Sequence, residues 1–190
     1  MRGLLAEKKV HLRLKEGKQD DDFLMQILKE KESSGEYEST VRHLLRTEIE
    51  KLPGGSPFDA IAERTVYIIE TLKGEQAEPI GFIAHFMVQP YNVLSLFFAL
   101  TNKLDIRHKG YGTEAVKDLT NLLFQSKDLA RIQAMINEND KAAQEVLEKA
   151  GYQKEGKLRK SAFVGGNWRD QYLYGILRDE WKKRYQRFND

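Results

Sequence analysis

One stretch of this chain combines residue types and spacing that could hold a charged ligand: Arg107-His108-Lys109-Gly110-Tyr111-Gly112-Thr113-Glu114-Ala115. Two glycines stand where a strand-like run ends and a helical pattern begins. Glycine lets the main chain turn and approach a ligand without a Cβ in the way, and the opening turn of a helix offers unpaired N–H groups at a positive dipole end. Arg107 and Lys109 add full positive charge beside them. The expected chemistry is the cradling of a phosphate.

Other residues restrict what else the chain can do. There is no cysteine, which removes disulfides, thiolate metal sites and a cysteine nucleophile together. Gly54-Gly55-Ser56-Pro57 lacks the Gly-x-Ser-x-Gly elbow of a serine hydrolase. Asp20-Asp21-Asp22 are consecutive, point in different directions on a helix, and suit a helix N-terminus better than a metal; no metal is expected. His43 has no partner at ligand spacing. His85, in an apolar run, could relay a proton near neutral pH, and Asp170, between Trp168 and Tyr172, could orient or deprotonate an amine.

The 31 basic and 29 acidic residues balance to a net charge of +2, giving no broad electrostatic footprint for nucleic acid. The basic segment from Lys182 to Arg187 reads as a solvated helix end. No apolar run approaches the ~20 residues that span a bilayer, and the opening Met1-Arg2-Gly3-Leu4-Leu5-Ala6-Glu7-Lys8-Lys9 is too short in its apolar part for a secretory signal. The expectation is a cytoplasmic protein with neither nucleic acid nor membrane as partner. With 190 residues, 41% of them hydrophobic and 32% charged, one domain over residues 1–190 is expected.

The elements that must position the glycine turn can be read from periodicity. Val10 to Leu14 reads as a first strand, followed by a Gly17 turn and a helix carrying Phe23, Leu24, Ile27 and Leu28 on one face. A second helix is marked by Ser39 or Thr40 as cap and by Val41, Leu44, Leu45, Ile49 and Leu52 before Pro53. Thr65 to Thr71, Ile80 to Val88 and Val93 to Leu100 read as an antiparallel meander. The pattern then changes to helix (Gly112 to Ser126), strand (Arg131 to Ile136) and helix (Asp140 to Ala150), closed by Gly151 at a left-handed stop position. Two more strands follow, Tyr152 to Lys160 and Gln171 to Leu177. A parallel crossover of this kind puts the first turn of its helix at the carboxyl edge of the sheet, where ligands of open α/β sheets collect.

The meander, the Arg-x-x-Gly-x-Gly turn opening a helix, and the helix ending in Gly-Tyr resemble the GNAT superfamily of acetyl-CoA-dependent N-acetyltransferases. Gly110-Tyr111-Gly112-Thr113-Glu114-Ala115-Val116, Val146-Leu147-Glu148-Lys149-Ala150-Gly151-Tyr152, Glu155-Gly156-Lys157-Leu158-Arg159 and Gly166-Asn167-Trp168-Arg169-Asp170, with Tyr174 and Trp181, are similar to the ribosomal-protein N-terminal acetyltransferase branch. The resemblance implies an α+β fold in α/β/α layers: a mixed, mostly antiparallel sheet of about seven strands with helices on both faces. It implies that Leu104, Asp105 and Ile106 lie on a splayed fourth strand whose main chain pairs with the pantetheine arm. The amides of Arg107, His108, Lys109, Gly110, Tyr111, Gly112 and Thr113 would hold the pyrophosphate, and Asn139 would add a cofactor contact.

Many members of that superfamily carry a tyrosine where this chain has Leu147, and carboxylates where it has Phe97 and Ala162-Phe163. Transfer from a thioester to an amine needs no covalent enzyme intermediate, so orientation and an amide donor to the oxyanion can supply most of the catalysis. His85 and Asp170 are the remaining catalytic candidates, with Ser95 and Tyr152 weaker. Few clustered carboxylates argue against a polycationic acceptor, leaving a protein N-terminal α-amine or a small amine. The rival function is a non-catalytic acyl-CoA sensor or protein-interaction module on the same fold. A homodimer is a possible assembly.

Overall fold

Among the described residues the apolar runs become seven strands: β1 (Val10–Leu14), β2 (Arg64–Thr71), β3 (Pro79–Gln89), β4 (Val93–Leu100), β5 (Arg131–Asn137), β6 (Gln153–Val164) and β7 (Asn167–Leu177). The helices are α1 (Gly17–Ser33), α2 (Tyr111–Ser126), α3 (Lys141–Ala150) and α4 (Arg178–Gln186). This computed structural model describes residues 8–33, 64–72, 77–89, 92–164 and 166–186. The helix expected between Ser39 and Leu52, with His43, lies outside them.

All seven strands belong to one sheet in the order β1-β2-β3-β4-β5-β7-β6. Every neighbouring pair is antiparallel except β4 and β5, which are parallel. The antiparallel pairs β2–β3, β3–β4 and β6–β7 are consecutive in the chain, whereas the parallel step from β4 to β5 needs the α2 crossover. Each face buries its own cluster. Leu24, Ile27 and Leu28 of α1 pack on Val66, Ile68, Phe82, Ala84 and Ala99. On the opposite face, Ala115, Val116, Leu119 and Leu123 of α2 and Leu147 of α3 pack on Ile83, Leu94, Leu96, Phe98, Ile132, Ala134, Tyr174 and Ile176. The parity of the strands sorts these sets, since alternate residues point to opposite faces.

The helices end as their residues dictate. Asp140 caps α3, its carboxylate accepting the Ala143 N–H at 2.9 Å, and Gly151 closes it at φ 103 with its N–H on the Glu148 carbonyl. Trp181 of α4 stacks on Phe124, ring centroids 5.3 Å apart, and donates to Asn121 Oδ1 at 2.7 Å, docking α4 against α2.

Asp20 lies in the first turn of α1 and is nearly fully buried, 5% exposed. It accepts both terminal nitrogens of Arg13, at 2.5 and 2.8 Å, and the Glu16 N–H at 2.8 Å, while Arg13 Nε reaches Glu70 at 2.6 Å. One network therefore ties β1, β2 and the start of α1. The Arg13 guanidinium, helped by the Glu16 N–H and opposed by burial, holds the Asp20 carboxyl below its usual range. The resulting stabilisation is complete above the unfolded-state value of about 4 and is lost as pH falls through the depressed folded-state value. Asp20→Asn is expected to destabilise the fold by about 2 kcal/mol at neutral pH and to flatten the acid limb of melting temperature against pH. An unchanged acid limb would assign that limb to other carboxylates.

The structure departs from the sequence reading in three places. Leu104–Ile106 form a 3-10 turn past the end of β4 and do not continue that strand. The last two strands are longer than expected: β6 runs to Val164, through a register jump after Leu158, and β7 starts at Asn167. Finally, α1 begins at Gly17, three residues before the acidic cluster.

Candidate acyl-CoA site

Strands β4 and β5 stay in register only from Val93↔Arg131 to Leu96↔Ala134. Beyond that point β4 continues beside β3 to Leu100, and β5 continues beside β7 to Asn137. A gap therefore opens between two strands of the same sheet. The Thr101 N–H bonds the Ile80 carbonyl at 2.8 Å, and alternate residues of an antiparallel pair turn their main-chain groups to the same neighbour. That phase directs the main chain of Phe97 and Ala99 to β3, and that of Phe98 and Leu100 toward the gap. The strand edge able to pair with an extended ligand thus precedes the 3-10 turn at Leu104–Ile106.

The glycine turn stands at this same end. His108 and Gly110 have φ of 58° and 83°, left-handed values that, set among ordinary residues, make a concave nest of N–H groups suited to an anion. Gly110 is the residue before α2 and has no side chain to cap it, so the N–H groups of Tyr111, Gly112 and Thr113 have no intrahelical acceptor. Gly112 serves packing: a Cβ there would sit 3.3 Å from Val146 Cγ2 and 3.5 Å from Leu100 Cδ1. Its absence lets α2 approach both α3 and β4.

A cleft of about 790 Å³ adjoins the turn, within the size range of small-ligand sites. Of the residues expected at the site, Ile106, Arg107, His108, Gly110, Tyr111, Gly112 and Thr113 line it. Asp105, Lys109 and Asn139 stand outside that lining. Asn139 is exposed, with its N–H on Asn137 Oδ1 at 3.0 Å, and its neighbours Asp140 and Ala142 line the cleft in its place.

Sequence reasoning missed the contribution of the first strand. Glu114, in the first turn of α2, accepts the N–H groups of Lys9 and Val10 at 2.7 and 3.2 Å, and Lys9 Nζ donates to the Lys109 carbonyl at 3.1 Å. Lys8 pairs with Asp118 at 3.4 Å, and burial raises the Asp118 carboxyl. Lys8 and Lys9 both line the cleft. A contact spanning about a hundred residues leaves no local pattern, so nothing in the sequence around Lys9 signals it. The nest, the uncapped helix start, the adjacent lysines and the strand gap fit a ligand with an extended arm and a phosphate-bearing end.

The catalytic candidates occupy different surroundings. His85 is buried on β3, on the sheet face covered by α2 and α3, with its ring centroid 6.2 Å from that of Tyr67. It pairs in register with Leu96, the last β4 residue in register with β5, which places it one strand from the apex of the gap. Asp170, on β7, accepts the Lys160 N–H at 2.8 Å and Lys157 Nζ at 2.9 Å. These contacts hold its carboxyl below the ordinary range and make it a poor proton acceptor. Ser95 and Tyr152 are both buried, and the Tyr152 hydroxyl, raised by burial, is engaged with Thr120 Oγ1 at 2.8 Å. Among the described residues no group of His, Asp and Glu side chains could hold a metal ion.

The comparisons with known proteins agree with this arrangement. The chain is 40% identical over 76 residues to a probable N-acetyltransferase, YjcK, of Bacillus subtilis, a match covering 39% of this chain and only 42% of that relative. Its fold is like that of spermidine N-acetyltransferase from Vibrio cholerae, solved in complex with CoA and spermine: TM-score 0.68, 17% identity, covering 91% of this chain and 98% of the other. It is also like ribosomal-protein-S5-alanine acetyltransferase from Vibrio fischeri, with TM-score 0.67, 17% identity and 92% and 96% covered. The acetyltransferase (GNAT) domain model matches residues 11–153, a span that holds the strand gap, the glycine turn and both helices beside it. The chain belongs to the GNAT acetyltransferase family.

Proposed function

We propose that the protein is an acetyl-CoA-dependent N-acetyltransferase that acetylates a primary amine directly, with a polypeptide α-amine as the first acceptor to test. The observation that carries this reading is the glycine turn set beside the strand gap. An anion nest and a strand edge meet there, matching a phosphate end and an amide-bearing arm. The main chain from Arg107 to Thr113, with Lys9 beside it, would hold the pyrophosphate, and the β4 edge at Phe98 and Leu100 would pair with the arm. When bound, acetyl-CoA supplies an activated acetyl thioester. The chain's own work is then to orient, to keep water out and to move one proton.

His85 is proposed as the proton relay because it is a titratable side chain one strand from the apex of the gap, on the sheet face that α2 and α3 cover. Asp170, held ionised by the Lys160 N–H and Lys157, is proposed in a positioning role in the β6–β7 hairpin. The names of the relatives support an amine acceptor: spermidine in one, the alanine of a ribosomal protein in another. Cytoplasmic location is part of the proposal; no helix among the described residues is long and apolar enough to cross a membrane.

Release of free thiol from acetyl-CoA across a panel of amines tests the reading. Release that depends on the amine is expected, and His85→Gln should lower kcat about 100-fold while the rise in melting temperature caused by acetyl-CoA is unchanged. Acetyl-CoA binding without release for any amine would favour the non-catalytic acyl-CoA-binding module. An unchanged kcat in His85→Gln would place the relay elsewhere.

A further inference from the structure

The β6–β7 hairpin is not regularly paired along its whole length. Leu158 pairs with Gln171 and Ala162 with Arg169, so Arg159, Lys160 and Ser161 all stand opposite Asp170. Three residues against one make an irregular bulge, and bulges near sites re-aim side chains. It is held from several directions. Asp170 takes the Lys160 N–H and Lys157 Nζ, Lys157 also reaches Glu138 at 2.8 Å, and Ser161 Oγ bonds the Leu158 carbonyl and Gln171 Oε1, each at 3.1 Å. Lys160 sits at φ 50°, a conformation a lysine adopts only when its surroundings fix it.

The same contacts consume the local negative charge. Residues 153–171 contain five basic side chains, Lys154, Lys157, Arg159, Lys160 and Arg169, and two acidic ones, Glu155 and Asp170. Glu155 is paired with Arg131 at 2.7 Å, and both Asp170 oxygens are taken up in holding the bulge. Arg159 is close enough to lower the Asp170 pKa further. Arg159, Lys160 and Arg169 are nevertheless exposed, with no carboxylate among the described residues bonded to their side chains. The bulge adjoins the end of β5: Glu138 N–H bonds the Asp170 carbonyl at 3.1 Å, and Asn137 pairs with Gln171. It therefore stands at the end of β5 beside the β4–β5 gap, and Glu138, which it contacts, precedes Asp140 of the cleft lining by two residues.

We propose that this bulge selects the acceptor by charge: it favours a polypeptide carrying carboxylates close behind its reacting N-terminus and disfavours polycations. Three unneutralised cations at the mouth of a site raise the local concentration of an anionic partner and repel a cationic one, in a manner that salt weakens. The proposal names the substrate class of the site described above, and so rests on the transferase reading.

The test is fluorescence anisotropy of labelled peptides, identical at the first two residues and acidic, neutral or basic beyond them, binding to the full chain in the presence of CoA. The acidic peptide is expected to bind at least about 10-fold tighter than the neutral one at low salt. A polyamine should fail to displace it at concentrations where unlabelled acidic peptide does. In the Arg159→Gln/Lys160→Gln/Arg169→Gln variant the acidic-to-neutral ratio should fall to about one, with the melting-temperature rise on acetyl-CoA intact as a check on folding. Equal binding of acidic and neutral peptides, or a polyamine that binds tighter than either, would overturn the proposal. Binding needs no turnover, so an acidic preference without acetyl transfer upholds this inference and sinks the transferase reading. Transfer with no charge preference does the reverse.

Discussion

Gly110→Val is expected to abolish acetyl-CoA binding while leaving a folded protein. Gly110 sits at φ 83°, where a β-branched residue is strained by about 1–2 kcal/mol. The turn relieves that strain by leaving the left-handed region, which dismantles the nest and turns the N–H groups ahead of α2 away from the ligand. The new side chain also points toward Lys9 Nζ, 3.6 Å from the Cβ position, and Lys9 is the cation that grips the Lys109 carbonyl. In the native protein, acetyl-CoA at ~100 times its dissociation constant should add about 2.7 kcal/mol, a rise of roughly 5–10 °C for a chain of this size. The variant should show none of it. Gly110→Asn separates strain from sterics, because asparagine tolerates left-handed φ; it should keep a measurable rise. Loss of the rise in both variants would point to close approach of the ligand to the missing side chain, and retention in both would move the phosphate site away from the turn.

The largest expected loss of stability comes from Arg178→Ala, whose side chain reaches from the start of α4 to the far end of α2. Arg178 Nε and its two terminal nitrogens donate to the carbonyls of Leu129, Phe124 and Lys127, at 2.6, 2.9 and 2.5 Å. Its guanidinium also lies 5.3 Å from the Phe124 ring centroid. Two of these carbonyls belong to the end of α2 or just past it, where a cation meets both orphan acceptors and the negative dipole end. Removing it strands partly buried carbonyls and loosens the joint between α2, β5 and α4. The expected cost is about 3 kcal/mol, with the three bonds acting together and not adding separately. Denaturant melts should show the midpoint falling and the slope unchanged. A loss under about 1 kcal/mol would mean that water replaces the guanidinium at these carbonyls. Because α2 carries the glycine turn, the variant should also bind acetyl-CoA more weakly in proportion to any fraying of the helix.

Much of the second half was legible because its signals are local. The helical stripe of α2, Asp140 and Gly151 at the two ends of α3, and the strand between these helices each depend on residues within a turn or two of one another. The site's other half depends on long-range pairing. That β4 leaves β5 after Leu96 follows from register across the sheet, and nothing in Val93 to Leu100 announces it. The resemblance placed the pairing edge at Leu104–Ile106, whereas those residues have already turned out of the strand. The strand expected over Tyr152 to Lys160 stops inside the bulge at Arg159, Lys160 and Ser161, where regular pairing is lost. Asp170, eleven residues away in the chain from Arg159, supplies the contacts that keep β6 going. Lys9 was invisible for the same reason, since its partners lie on α2 and the glycine turn.

Direct transfer of an acetyl group from a thioester held at the glycine turn to an amine can be followed with a labelled acetyl group. The native protein would be incubated with acetyl-labelled acetyl-CoA and a peptide with a free α-amine, and both protein and peptide examined by mass spectrometry. Label is expected on the peptide α-amine and not on the protein as an intermediate, with one free thiol released for each acetyl transferred, and Gly110→Val should show no transfer. Label on a protein side chain before it reaches the peptide, or thiol release with free acetate and an unmodified amine, would contradict direct transfer.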